Sequence, residues 1–269
     1  VYVDDDASTN VPYVLFWQMP EIIPLTSDSL NGLTSMNLVG GNTYILQNDI
    51  IIDNTNFYFT FAGPNVIFDG QGFTVTINNF LNFGGLFHNG NLGTGKDNIN
   101  IKNLGVLSSN GSTLAVGGGW ICQKYFGSGG SDNTIENCYS NGAISSQYCG
   151  GICGLWLGNT GFGGVASTVK VTNCFSSGPI SGNQAGGICG FSTGHFSNGE
   201  VIVSNCYSTG EISGSSSGGI CGDGTNMKVT VTNCYSFGKL IDGAQGIVGP
   251  NSSANISMCY IANTHWSDE

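Results

Sequence analysis

The phrase Asn137-Cys138-Tyr139-Ser140, with Gly150-Gly151-Ile152-Cys153-Gly154 behind it, decides how this chain folds, because both halves recur. The first half returns as Asn173-Cys174-Phe175-Ser176, Asn205-Cys206-Tyr207-Ser208 and Asn233-Cys234-Tyr235-Ser236. The second returns at Gly186 to Gly190, at Gly218 to Gly222, and in the degenerate form Gln245-Gly246-Ile247-Val248-Gly249. From the first cysteine of a copy to the second is 15 residues three times, and 14 to Val248 in the last copy. The spacing between successive Asn-Cys pairs shrinks meanwhile from 36 to 32 to 28 residues. A constant inner offset with a variable remainder is the signature of a solenoid whose extra residues form loops on one side. Those loops fall at 155–168, 191–199 and 223–227, which are rich in Gly, Ser, Thr and Asn.

Each copy is entered by a short alternating run, such as Thr168-Val169-Lys170-Val171-Thr172 or Val229-Thr230-Val231-Thr232. Alternation of β-branched and polar residues reads as a strand with one buried face. Several such strands per repeat make a coil, and like coils stack at about 4.8 Å, so each side chain lies on its equivalent in the next coil. Degenerate coils precede the clear ones. Ile99-Asn100-Ile101-Lys102-Asn103-Leu104 with Gly118-Gly119-Trp120-Ile121-Cys122 is one, and Val75-Thr76-Ile77-Asn78-Asn79-Phe80 with Gly84-Gly85-Leu86-Phe87 is another. The expected fold is all-β, a single-stranded right-handed parallel β-helix over 42–260, with an N-terminal capping or docking segment at 1–41 and a tail at 261–269.

Stacking also assigns roles to the repeated residues. Cysteine is small and readily buried, so Cys138, Cys174, Cys206, Cys234 and Cys259 are expected to form one internal ladder. Cys153, Cys189 and Cys221, extended by Cys122, form a second. Asn137, Asn173, Asn205 and Asn233 are expected to turn the chain in left-handed geometry and to bond along the stack, and the paired glycines to allow a tight corner. Tyr139, Phe175, Tyr207 and Tyr235 share one phase and are expected in the core, although an exposed aromatic row can also hold sugars.

The phrase Asn-Cys-Tyr-Ser-x-Gly-x-Ile-Ser followed by Gly-Gly-Ile-Cys-Gly resembles the GLUG repeat of bacterial surface and adhesin-type proteins and of giant-virus repeat proteins. Val66-Ile67-Phe68-Asp69-Gly70-Gln71-Gly72-Phe73-Thr74-Val75 is similar to the opening coils of pectin-lyase-like β-helices. The close copies span 134–249. Cys153, Cys189 and Cys221 depart from the GLUG pattern, which has an aliphatic residue there. The resemblance implies the β-helix; it does not fix a chemistry, since one fold carries many functions.

Composition narrows the function. The chain has 269 residues, 44 of them glycine, and 17 acidic groups against six basic ones, all lysine, for a formal net charge of -11. Such a surface repels phosphate backbones and anionic lipid, so neither nucleic acid nor membrane insertion is expected. No apolar run reaches the roughly 18 residues of a spanning helix. The chain opens on Val1 without a charged-then-apolar leader, which fits either a removed signal peptide or a trimmed chain.

Ten cysteines without a Cys-x-x-Cys pair argue against zinc; packed thiols are favoured over disulfides between neighbouring coils, which would have to draw stacked side chains together. Lyase chemistry needs a basic residue, typically Arg, and the chain has no arginine. Asp4-Asp5-Asp6 lies outside the repeat, and Asp69 fits an Asp-Gly turn. Asp132, Glu136, Glu200, Glu211, Asp223 and Asp242 are single and scattered, unlike the paired carboxylates of a glycosidase, and His88, His195 and His265 fall at unrelated phases. Asn110-Gly111-Ser112, Asn251-Ser252-Ser253 and Asn255-Ile256-Ser257 fit the glycosylation sequon, as chance allows in so Asn- and Ser-rich a chain. No catalytic residue, metal or cofactor is expected.

The leading expectation is a non-enzymatic structural or attachment protein on the exterior of a virus particle or cell. It would meet protein partners through Val14-Leu15-Phe16-Trp17 or the open solenoid ends, with homo-oligomerisation and surface glycans as further contacts. A glycan-binding module using loops such as 155–168 is the alternative, and a polysaccharide lyase or hydrolase comes third.

Overall fold

The computed structural model describes residues 19–53, 55–91, 93–160, 166–195, 199–241 and 243–262. Every strand pairing among them is parallel. One sheet stacks nine strands: Ile22–Leu25, Thr43–Leu46, Val66–Asp69, Ile99–Lys102, Asn133–Glu136, Thr168–Thr172, Glu200–Ser204, Val229–Thr232 and Asn255–Ser257. A second sheet stacks eight, from Ile50–Asp53 to Tyr260–Ile261, and a third joins Ser35–Leu38, Tyr58–Phe61 and Phe87–His88. Single bridges carry the third face onward through Phe87, Cys122, Cys153, Cys189, Cys221 and Val248. The molecule is a parallel β-helix. Among the described residues the one α-helical segment is the turn Ser27–Leu30, capped by Thr26, and no helix is long and apolar enough to cross a membrane.

Register explains the alternating strands. Val169, Val201 and Val229 lie on one another, as do Val171, Val203 and Val231, and all six are buried. Each such side chain contributes roughly 1.5–3 kcal/mol on leaving water. Ile152, Ile188, Ile220 and Ile247 make a further internal row. The earlier coils are filled by rings instead: Phe59, Phe68 and Phe87 meet pairwise at 4.8–5.2 Å. Bulky Phe in place of Val and Cys is why those coils match the repeat poorly.

The solenoid begins before the boundary read at Asn42. Ile22–Leu25 pairs in register with Thr43–Leu46, and Ser35–Leu38 with Tyr58–Phe61. Within 1–41, the stretch from Ile22 is therefore a coil, not a cap; it escaped the repeat pattern because a helical turn interrupts it. At the other end Ile261, assigned to the tail, pairs with Ser236. Val14-Leu15-Phe16-Trp17, Asp4-Asp5-Asp6, Asp242 and His265 lie outside the described residues.

Corners have two distinct causes. Asn103, Asn137, Asn173, Asn205 and Asn233 sit at φ of 51–54°, the left-handed region that Asn tolerates best after Gly. The paired glycines serve differently from the tight corner expected of them. Gly187 lacks a positive φ, but a Cβ there would stand 2.1 Å from the Gly219 carbonyl oxygen and 2.7 Å from the Ser208 Cβ. Glycine is required because neighbouring coils touch there.

Candidate functional site

Nine of the ten cysteines sit in two rows. The amides of Phe175, Tyr207, Tyr235 and Tyr260 bond the carbonyls of Cys138, Cys174, Cys206 and Cys234 at 2.9–3.1 Å, which places Cys138, Cys174, Cys206, Cys234 and Cys259 one above the next. Their thiols donate to the carbonyl two residues earlier, from Cys138 to Glu136 at 3.1 Å through Cys259 to Ser257 at 3.3 Å. Cys122, Cys153, Cys189 and Cys221 bridge in order on the opposite wall. All ten cysteines are free thiols, nine of them buried.

This environment suppresses their reactivity. Burial, reinforced by the thiol of the preceding coil, pushes Cys153, Cys174 and Cys206 far up. At Cys189 and Cys221 the neighbouring thiol is the larger cause and burial follows. Cys149, outside both rows, is pushed up to about 12 by burial. A nucleophilic or metal-binding cysteine needs the opposite shift.

Asparagine bonds run along one edge. Asn137 Nδ2 donates to Asn103 Oδ1 at 3.1 Å, Asn205 to Asn173 at 3.1 Å and Asn233 to Asn205 at 2.6 Å. At the base Asn103 donates to Asp69 at 3.0 Å, and Asp69 also takes Gln71 N–H at 2.9 Å. Burial alone would raise the Asp69 carboxyl, but these bonds and Lys102, 3.4 Å away, hold it below its usual value. Asp69 is thus a turn and ladder residue.

The aromatic row faces outward, contrary to the core placement expected of it. In each two-residue strand the side chains alternate, so Ser140, Ser176, Ser208 and Ser236 point in and Tyr139, Phe175, Tyr207 and Tyr235 are half-exposed. Tyr139, Phe175 and Tyr207 stack at 4.9 Å and within 4° of parallel. Gly105 lies under Tyr139, where a Cβ would fall 2.4 Å from the ring. Within this trio each ring lies face to face with its neighbour, which leaves chiefly edges for a ligand.

A polar cleft lies elsewhere, on the corner that carries the variable loops. It has a volume of about 440 Å³ and gathers Gln184, Phe191, His195, Asp223, Asn226 and Asn251 with three hydroxyl residues, Ser192, Thr225 and Ser253. Asp223 occupies the repeat phase of Leu155 and Phe191, yet it is only 4% exposed. Its carboxylate takes Gln184 Nε2 at 2.8 Å, Gly224 N–H at 2.8 Å and Asn251 Nδ2 at 3.2 Å. Sequence reading left Asp223 among the scattered acids; the available signal was a carboxylate at a phase otherwise held by apolar residues. His88 is in a different place, stacked on Tyr58 at 4.0 Å with Nε2–H bonded to the Gly85 carbonyl. Burial pushes it down to about 4.

No protein-family model and no curated protein matches the chain. A solved structure does. It is a Bacteroides ovatus protein described as a "putative immunoglobulin A1 protease", 25% identical, with a TM-score of 0.51, and the match covers 81% of this chain and 68% of that one. The likeness agrees with an all-parallel β fold.

A second cleft, about 450 Å³, lies between the Ser27–Leu30 turn and the strand Ile50–Asp53. That strand is the edge of its sheet, and the cleft is walled by Ile50, Ile51, Leu30, Leu33 and Phe57 together with polar residues such as Asp28, Asn31, Asp53 and Thr55. No group of three or more potential metal ligands occurs among the described residues.

Proposed function

We propose that this chain is a rigid structural or attachment segment displayed on the exterior of a cell or virus particle, without catalysis of its own. The observation that carries the reading is the unbroken register of nine parallel strands, a rod roughly 40 Å long at the ~4.8 Å strand spacing. Its side-chain inventory is spent on coil-to-coil contact. The repeat phrase, similar to the GLUG repeat of surface and adhesin-type proteins and of giant-virus proteins, supports an exterior location, as does the acidic, arginine-free composition. Contact with protein partners or a second copy at the solenoid ends is part of the proposal; the exposed edge residue Ile51 and the exposed Ile256, Tyr260 and Ile261 favour it.

The neighbour's description gives peptide hydrolysis as the second reading, and the cleft joining Asp223, His195, Ser192 and Ser253 is where it would occur. Against it, the carboxylate of Asp223 is already engaged by three amide donors. The test is antibody labelling of intact and of permeabilised source cells or particles, alongside incubation of the purified chain with immunoglobulin A1. Labelling of intact material without cleavage is the expected result. Cleavage abolished by His195→Ala would replace the proposal with the peptidase reading.

A further inference from the structure

We propose that the cleft at Asp223 binds a neutral, hydroxyl-rich sugar ring. The inference deepens the attachment reading, on which it rests for the ligand's source, by naming what the scaffold would hold.

The site is made by a step in the solenoid. The segment after Cys221 is shorter than the one after Cys189, so the upper coil leaves this corner sooner, after bonding the lower one through Ser192 N–H to the Asp223 carbonyl at 2.9 Å and Asn226 N–H to the Thr193 carbonyl at 3.1 Å. Gly224 borders the cleft in contact with the lower coil: a Cβ there would lie 2.9 Å from Ser192 Oγ and 3.4 Å from the Phe191 ring. Phe191 is inclined 47° to Tyr148 at 4.8 Å, whereas the rings of the outer aromatic row cover one another. An aromatic surface beside polar groups suits a ligand with one apolar face and a polar rim.

The polar groups specify the rim. Asp223 is held in place by three donors before any ligand arrives, and a carboxylate offers about four acceptor positions, so a hydroxyl can still donate to it. Asn226, Asn251 and Ser253 both donate and accept, which matches neighbouring hydroxyls that each do both. Elimination points the same way. An anion would meet Asp223 and a chain of net charge -11, a cation would find one carboxylate among the cleft residues, and an apolar ligand would strip water from the polar lining without replacing its hydrogen bonds. The volume, about 440 Å³, falls in the small-ligand range.

The test is saturation-transfer NMR and calorimetry on the full chain with the methyl glycosides of glucose, galactose, mannose and N-acetylglucosamine. At least one is expected to bind with a millimolar dissociation constant, and Phe191→Ala and Asn226→Ala each to weaken it about tenfold with the β-rich circular dichroism spectrum retained. Asp223→Asn is expected to do the same; should it fail to fold, the other two variants decide. No saturation transfer from any of the four sugars, or binding undiminished in both Phe191→Ala and Asn226→Ala, would overturn the inference. Sugar binding without surface labelling would sink the attachment reading alone, and labelling without sugar binding would sink this inference alone.

Discussion

Met258 occupies the last coil's place in the asparagine series, at φ 49°, and is 70% exposed. A left-handed conformation costs an ordinary L-residue about 1–2 kcal/mol, less for Asn. Met258→Asn is therefore expected to stabilise that coil by about 0.5–1 kcal/mol. Hydrogen exchange of the Tyr260 amide, which bonds Cys234, should slow by up to about fivefold; unchanged or faster exchange would refute the strain argument. Gly187→Ala tests the opposite constraint. With backbone oxygen 2.1 Å from the added methyl, the variant should lose at least about 2 kcal/mol in urea unfolding, and a neutral result would mean the coils are not in contact there. The left-handed role of Asn was legible in the sequence because Asn recurs at one phase. The reason for the paired glycines was not, since their constraint comes from the coil above and not from their own turn.

At the level of the strand, the two-residue elements were the hardest to read. Cys-Tyr-Ser gives no hydrophobic alternation by itself, and a preference for burying aromatics put Tyr139, Tyr207 and Tyr235 inside. The structure buries the small Ser and leaves the rings in an outer stack, where Tyr235 O–H also reaches Asn233 Oδ1 at 3.0 Å. Stacked pairs of this kind add about 0.5–1.5 kcal/mol beyond area. Tyr207→Ala, between Phe175 and Tyr235 in register, should thus cost on the order of 1–3 kcal/mol; if the rings were decorative, thermal melting would not shift. The third face carries a pH-sensitive element. His88 has a folded value of about 4 against 6.5 for the free side chain. Below 6.5 the unfolded chain takes up a proton that the folded chain refuses, so stability should fall as pH drops from about 6.5 to about 4, by roughly 1.4 kcal/mol per unit at most. His88→Phe should flatten that part of the profile, and an unaltered slope would assign it to other groups.

Over the whole molecule, the repeat phrase was enough to recognise a solenoid, because equal offsets force equal coils. Its first coil was hidden by the turn at Ser27–Leu30, and the cleft by its dependence on a length difference between successive loops. The thiol rows give the whole rod an alkaline limit. Cys153, Cys174, Cys189, Cys206 and Cys221 are pushed up from the ordinary 9.0, so the stabilisation is complete below pH 9 and is lost as pH rises, when the unfolded chain can ionise and the folded one cannot. Unfolding midpoints should fall steeply above about pH 9, each thiol adding up to roughly 1.4 kcal/mol per pH unit. Exchange protection should be greatest in the middle coils and least at Asn255–Ile261, whose residues are mostly exposed.

The account stands on stacked, reduced cysteines as the packing of a continuous rod, and thiol titration tests this most directly. Protein taken from its native source with thiols blocked on lysis should show all ten cysteines blocked as thiols once denatured. In a parallel native sample Cys259 alone, half-buried in the last coil, should react promptly. Few thiols in the denatured sample would mean disulfides between coils, and several fast-reacting thiols in the native one would mean that the rows are not buried; either result contradicts the structure described.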